Sequence, residues 1–434
     1  MPGAAGTLAF QKAAATEAAH LLPVPPKGKF QGTATSLQLA LNLVVCGLGT
    51  GIFTLPWSTA GASVFLAIAI IGGVLVMNAW TISFIVEAAE RHQKFDIGSL
   101  LACMPGSLGH WARIGCNITL CFSTYLCLVS YMIVIADSLG QSLPAWALTK
   151  RSTLVVLAAA LVLPLCFLDQ QRLSSTSLVA VFANVYIFIV VVALFIHKEL
   201  EGIRPPVCYL GASIGSMAMV SAMMQTVVIQ MCVLPMYAQM RDRNVARFNR
   251  IVAVSFSALF FLCVGFSVLG YLTFGQGTSS NVLLDLPKTR WGSIARLGAA
   301  IGVIGVYPLI MSPIVAALRG SPAALALLRR SQGSQGGPSS ESAATAAATV
   351  FVVFASMVAA FYFRDLGQLN VVNGALSMGT FVALVPCVIG LNLLGEKSQQ
   401  PGWRAIMYTL AAIGAICSGL GLVLTDNYAK GLPA

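Results

Sequence analysis

Between residues 36 and 425 the apolar positions do not alternate with polar ones. They run together, in stretches separated by short polar intervals. The stretches are 36–60, 62–89, 112–140, 152–168, 176–197, 212–237, 249–274, 292–318, 343–363, 367–394 and 403–425. A helix that crosses a bilayer needs about 20 mostly apolar residues, and these eleven segments meet or approach that length, the fourth being the shortest. The pattern predicts an all-α polytopic membrane protein with eleven transmembrane helices. Residues 1–35, alanine-rich with the end "HLLPVPPKGKF", predict a disordered cytosolic tail and no cleavable signal peptide. "SQGSQGGPSSES", residues 331–342, predicts a flexible cytosolic linker between the eighth and ninth helices.

Composition sharpens the picture. The 434 residues are 57% hydrophobic and 9% charged, whereas soluble domains carry about 25% charged residues. The mean hydropathy is +0.85. A lipid bilayer is therefore the solvent this chain requires. The net charge of +11 is a topology signal and does not point to nucleic acid. With the N-terminus in the cytosol, 16 of the 25 Lys and Arg fall in cytosolic segments, led by "RDRNVARFNR" after the sixth helix. An odd helix count then puts the C-terminus on the extracytosolic side. Nine of the eleven cysteines lie in apolar segments and no CxxC pair occurs, so neither a metal nor a cofactor is expected. His20, His92, His110 and His197 are scattered and no hydrolase or paired-carboxylate motif is present, so the chain does not read as an enzyme.

Two segments break the rules of a spanning helix. The first contains "CGLGTGIFTLPW", with Gly47, Gly49, Gly51 and Pro56. Glycine costs a helix about 1 kcal/mol and proline about 3 kcal/mol relative to alanine. Within hydrocarbon an unpaired backbone group costs several kcal/mol, so a break survives only where it lines a cavity. A break at Gly49–Thr50–Gly51 would offer the N–H groups of Thr50, Gly51 and Ile52 to a carboxylate. The alternative is close packing, because Gly47 and Gly51 form a GxxxG pair. The sixth segment, "SAMMQTVVIQMCVLPMYAQM", carries Gln225, Thr226 and Gln230 in an apolar run, and its Pro235 corresponds to Pro56 in an oppositely oriented helix. Interrupted helices at matching positions of two halves mark an inverted repeat with a central site.

The same stretches resemble the amino acid/auxin permease superfamily. "GLGTGIFTLPWSTAG" is similar to its first helix, "VSYMIVIADSLG" to its third, "VLPMYAQMRDR" to its sixth, "GYLTFG" to the end of its seventh, "VYPLIMSP" to its eighth and "NGALSMGTFVALVPCVIGLNLL" to its tenth. The resemblance runs over residues 33–425, and the neutral amino-acid permeases of animals and the amino-acid permeases of protozoa are its nearest branches. It implies a leucine-transporter-like fold with a five-plus-five inverted repeat, here 36–197 and 212–394, and one extra helix at 403–425. It also implies a secondary amino-acid transporter. By position, the substrate carboxylate meets the backbone at Leu48, Gly49, Thr50 and Gly51, and the amino group meets carbonyls of a break at 226–230. Side-chain candidates are Tyr131, Thr226, Gln230 and Asn373, with Asn42 bracing the first break.

Sodium-coupled members of the superfamily place an asparagine and a threonine where this chain has Val45 and Val306, which removes two oxygen ligands from a hard cation. Backbone carbonyls of Val45 and Gly305 remain, but sodium coupling is disfavoured. Protons are the other candidate, with Asp137 the best-placed carboxyl, and uncoupled transport is a third. With neither acidic nor basic side chains near the breaks, small or medium neutral amino acids are the expected substrates by elimination. A carrier of cationic amino acids, a channel and an amino-acid-sensing receptor are the alternatives. Plasma membrane and acidic organelle are both open as its location.

Overall fold

The structure, a computed structural model, describes residues 32, 34–142, 150–168, 170–319 and 338–423. Most of the expected tail, residues 331–337 of the expected linker, and residues 424–425 of the last expected segment lie outside the described residues. Residues 338–342 of that linker form the first part of a helix.

The architecture is all-helical. The first segment is divided into α1 (Ser36–Cys46), a 3-10 turn (Thr50–Thr54) and α2 (Leu55–Ala62). There follow α3 (Val64–His92), α4 (Leu108–Ser142), α5 (Arg151–Leu165) and α6 (Gln170–Leu200). The sixth segment is divided into α7 (Gly215–Val227) and α8 (Gln230–Ala238). Beyond it come α9 (Val245–Phe274), α10 (Arg290–Arg319) and α11 (Pro338–Tyr362). The tenth segment runs as α12 (Leu366–Ser377), a π-helical turn (Met378–Leu384) and α13 (Val385–Asn392), and α14 (Pro401–Val423) closes the described chain.

Side-chain caps fix several starts. Thr35 and Gln38 form a capping box at α1, Asn244 accepts from Arg247 N–H at 3.1 Å, and Asp365 accepts from Gln368 N–H at 3.0 Å. Each such cap stabilises its helix by about 1 kcal/mol.

Among the described residues nine helices are long and apolar enough to span a bilayer, or ten if the bent pair Ser36–Cys46 and Thr50–Ala62 counts as one. The eleven expected segments correspond to these ten and to α5. At 15 residues and about 1.5 Å per residue, α5 is shorter than the roughly 30 Å of a hydrocarbon core.

The described chain forms two compact units. The described residues within 31–123, 181–295 and 365–423 make one, and those within 124–180 and 296–364 belong to the other. Each unit draws on both halves of the sequence. In the first unit α7 packs against α2, α3 and α12, and α9 packs against α1, α2 and α3. Backbones approach closely there: a methyl on Gly374 of α12 would fall 1.7 Å from Ser221 O of α7. In the second unit α5 packs on α11, Tyr125 Oη donates to Ala355 O at 3.0 Å, and Arg151 pairs with Asp137 at 2.8 Å.

Candidate functional site

The interruption of the first segment is a backbone event. Gly47 N–H closes onto Leu43 O and Val44 O, and Leu48 N–H onto Val45 O, each at 3.1 Å, so α1 ends in tight turns. Gly49 is extended (φ −73°, ψ −176°) and the chain re-enters a 3-10 turn at Thr50, bent by 45° from α1. Ile52 N–H bonds Gly49 O at 3.2 Å, and Thr54 Oγ1 donates to Gly51 O at 2.8 Å. The N–H groups of Gly49, Thr50 and Gly51 have no acceptor among the described residues. Ile52 therefore differs from the sequence expectation: its donor already has a partner, whereas three consecutive donors before it do not. A methyl on Gly49 would meet nothing within 4 Å, so open space lies at the break.

The sixth segment is interrupted at Val228 and Ile229, six residues and more ahead of its proline, Pro235. Val228 departs at ψ 85° and makes no capping bond, which leaves the carbonyl end of α7 uncapped. Ile229 O accepts from Cys232 N–H at 2.8 Å and starts α8. A run of β-branched residues at 227–229 disfavours helix through side-chain crowding. Pro235 is inside α8, and Pro56 is in the first turn of α2, so both prolines follow a break without making it.

The two broken segments run antiparallel within one unit. Ala34 bridges to Met240 at one end, and Ser213 Oγ donates to Gly61 O at the other. Between them a methyl on Gly51 would fall 2.5 Å from Thr226 Oγ1 and 3.0 Å from Thr226 N. Both interruptions consequently lie beside the Gly51–Thr226 contact, two residues from Gly49 on one segment and two from Val228 on the other. Gly51 is small because the Thr226 backbone passes it; Gly49 has no such neighbour.

The side chains named from sequence are placed differently from one another. Thr226 is buried and its hydroxyl donates to Ala222 O at 2.9 Å. Gln230 is fully buried and turns its amide N–H to Asn78 Oδ1 and Thr81 Oγ1 of α3, while its Oε1 has no partner among the described residues. Asn373 exchanges hydrogen bonds with Ser123 of α4: Ser123 Oγ donates to its Oδ1 at 2.6 Å, and its Nδ2 donates to Ser123 O at 3.0 Å. Asn42 is exposed and makes no hydrogen bond among the described residues, so it does not brace the break. It stands one turn from Cys46 on the same face of α1.

Tyr131 belongs to the other unit, buried beside Tyr307 with ring centroids 6.4 Å apart. Gly305 and Asp137 are also in that unit, Asp137 in its ion pair with Arg151. Val45, in the last turn of α1, is 36% exposed.

Three residues at or near the breaks were passed over in the sequence. Asn184 of α6 donates to Leu48 O at 3.0 Å and so holds the end of α1. Asn78 and Thr81 hold Gln230 from α3. The available signal was a polar residue inside an apolar segment, which in a membrane is costly unless it has a partner.

The chain matches the family described as "Transmembrane amino acid transporter protein" over residues 32–425. It is 22% identical to "Amino acid transporter AVT1J" of Arabidopsis thaliana, over 92% of this chain and 91% of that protein. It is 24% identical to "Sodium-coupled neutral amino acid transporter 7" of Xenopus laevis, over 93% and 94%. A "Vacuolar amino acid transporter 7" of Saccharomyces cerevisiae is 23% identical over 65% of this chain and 59% of that protein. Among solved structures, the nucleobase-cation-symport-1 family transporter MHP1 in a closed conformation superposes with a TM-score of 0.53, 11% identity, and 93% of each chain covered. The Eremococcus coleocola manganese transporter gives 0.52 and 12%, covering 95% of this chain and 91% of that one. At such identities the likeness establishes the fold alone. The relatives are named as transporters and not as enzymes. The family match takes in every described span and both broken helices: the chain is an integral membrane protein that belongs to the transmembrane amino acid transporter family, the amino acid/auxin permeases.

Proposed function

We propose that this permease carries small or medium neutral amino acids by alternating access, with the substrate held where its first and sixth spans are interrupted. The observation that carries this reading is the antiparallel pairing of two broken helices with their interruptions at one level. The substrate carboxylate accepts hydrogen bonds from Gly49, Thr50 and Gly51, the three donors left without acceptors. Charge-assisted bonds to backbone N–H at the start of a helical turn favour an anion there. The ammonium group takes the uncapped carbonyl end of α7 and the unpartnered Oε1 of Gln230. Thr226 contacts the substrate side chain, and Asn373 serves as a stitch between α12 and α4.

The same pairing supports an inverted repeat of 36–197 and 212–394 with 403–425 as the extra helix. The N-terminus is cytosolic, and the host membrane is the plasma membrane or that of an acidic organelle. Coupling is to protons, or absent, because Val45 and Val306 bring no side-chain oxygen for sodium. Asp137 would have to part from Arg151 to carry a proton.

The test is uptake of pooled radiolabelled neutral amino acids by the purified protein in liposomes, under a sodium gradient, a proton gradient, or neither. Saturable, stereoselective uptake that persists when choline replaces sodium is expected. A steep sodium dependence overturns the coupling assignment. Specific binding without flux under any gradient would instead favour a receptor.

A further inference from the structure

Asn78 of α3 is fully buried, and its hydrogen bonds fix which way its amide faces. Its Nδ2 donates to Val74 O, one turn back on the same helix, at 2.8 Å, and to Met224 Sδ of α7 at 3.5 Å. A carbonyl and a thioether can only accept, so the amide cannot turn end for end, and Oδ1 is the atom it offers to Gln230. Gln230 opens α8 and gives its Nε2 hydrogens to that Oδ1 and to Thr81 Oγ1, the latter at 3.5 Å. Thr81 has already donated its hydroxyl proton to Asn78 O at 3.0 Å, so it too can only accept. Reversing the Gln230 amide would set Oε1 against two acceptors. Its orientation is therefore imposed by α3, and Oε1 is left on the opposite side of the amide, buried and without a donor among the described residues. Met224 lies in the last turn of α7 and Gln230 in the first of α8, so Asn78 touches both sides of the interruption at Val228 and Ile229.

We propose that Asn78, helped by Thr81, is a positioning residue that holds Gln230 Oε1 as a fixed acceptor beside the second break, and so makes the carrier select substrates whose amino group has an N–H to give. The inference rests on the transport reading above. The ammonium group of an amino acid brings three donors and satisfies Oε1. A carboxylic acid of the same shape without the amino group brings none, and leaves a buried acceptor unmet. A site built to hydrogen-bond a polar group rejects the analogue lacking it far more strongly than an apolar pocket rejects a missing methylene. Asn78 and Thr81 do not touch the substrate and act through Gln230. Because Asn78 also holds Met224, it fixes the acceptor relative to the uncapped carbonyl end of α7, the other group assigned to the ammonium.

The test uses the full chain in liposomes and compares two inhibitors of labelled amino-acid uptake, the free amino acid and its desamino analogue with the same side chain. The wild type should prefer the amino acid strongly. Asn78→Leu, of similar size, removes the acceptor and lets the Gln230 amide turn. Its KM for the amino acid is expected to rise about tenfold or more with kcat changed far less, and its preference over the desamino analogue to fall by a similar factor. Asn78→Asp presents an oxygen to Gln230 whether or not it is protonated, and should restore most of both. Thr81→Val removes only the longer of the two contacts and should lower the preference by a smaller factor; it decides the matter if Asn78→Leu does not fold. Equal inhibition of the wild type by the two compounds overturns the inference, because Oε1 then receives no ammonium. Variants that weaken both inhibitors equally also overturn it, because Asn78 and Thr81 then only support packing. A folded wild type that takes up nothing fails the transport reading instead, and the shift in unfolding temperature given by each of the two compounds then carries the same comparison across the variants.

Discussion

Gly49→Leu is expected to leave a folded protein that has lost nearly all uptake. The position is extended with φ −73°, a conformation open to any L-residue, and an added Cβ meets nothing within 4 Å. Neither strain nor overlap therefore opposes the substitution in the fold. On the proposed reading the isobutyl group instead occupies the open space at the break, where the substrate carboxylate would sit. A hydrogen bond to a charged group contributes about 1.5–3 kcal/mol. Losing two of them weakens substrate binding by more than about a hundredfold. The check is paired: thermal unfolding in detergent, which should be unchanged, and concentration-dependent uptake in liposomes, which should collapse. Full uptake by the variant would remove the break from the binding site. Gly51 makes a poorer probe, because a methyl there already strikes the Thr226 backbone and mixes packing with binding.

Gly374→Ala should have the largest effect on stability. Its Cβ would sit 1.7 Å from Ser221 O and 3.1 Å from Gln225 N, both backbone atoms of α7 that no rotamer change can move. Relief requires α12 and α7 to separate, which also pulls Asn373 from Ser123. Overpacking usually costs about 1–3 kcal/mol, and this case belongs at or above the upper end. Gly73→Ala in α3 is the matched control, since a methyl there meets nothing within 4 Å, and alanine in a helix gains about 1 kcal/mol over glycine. Unfolding temperatures of the two variants should move in opposite directions. Equal temperatures would mean that the α7–α12 approach is looser than described.

Long apolar runs made the spans legible, because a bilayer demands length and hydrophobicity and little else. The place of the first break was half legible, since three glycines with one residue between each pair mark either a break or a close helix approach, and the first segment alone does not choose between them. The sixth segment was harder. Its Pro235 drew attention while the helix parts at Val228 and Ile229, a stretch with neither glycine nor proline. What parts it is the run of β-branched side chains together with packing, and packing leaves no local mark in sequence.

Side-chain direction was the other loss. Gln230 turns to Asn78 and not wholly toward the break, Asn373 reaches Ser123, and Asn42 faces outward. Each is a polar residue in an apolar segment, and sequence tells that such a residue needs a partner without telling which helix supplies it. The π-helical turn at Met378–Leu384 has the same origin, as tertiary contacts choose among nearly equal backbone spacings.

The most direct test of the account is competition for uptake between the free amino acid that the pooled assay identifies and its methyl ester. The ester keeps the ammonium group and the side chain but has no carboxylate to accept from Gly49, Thr50 and Gly51. The account predicts that the free amino acid inhibits uptake of its labelled form and that the ester does so only at far higher concentration. Equal inhibition by the ester would contradict it, because the carboxylate would then contribute nothing at the break.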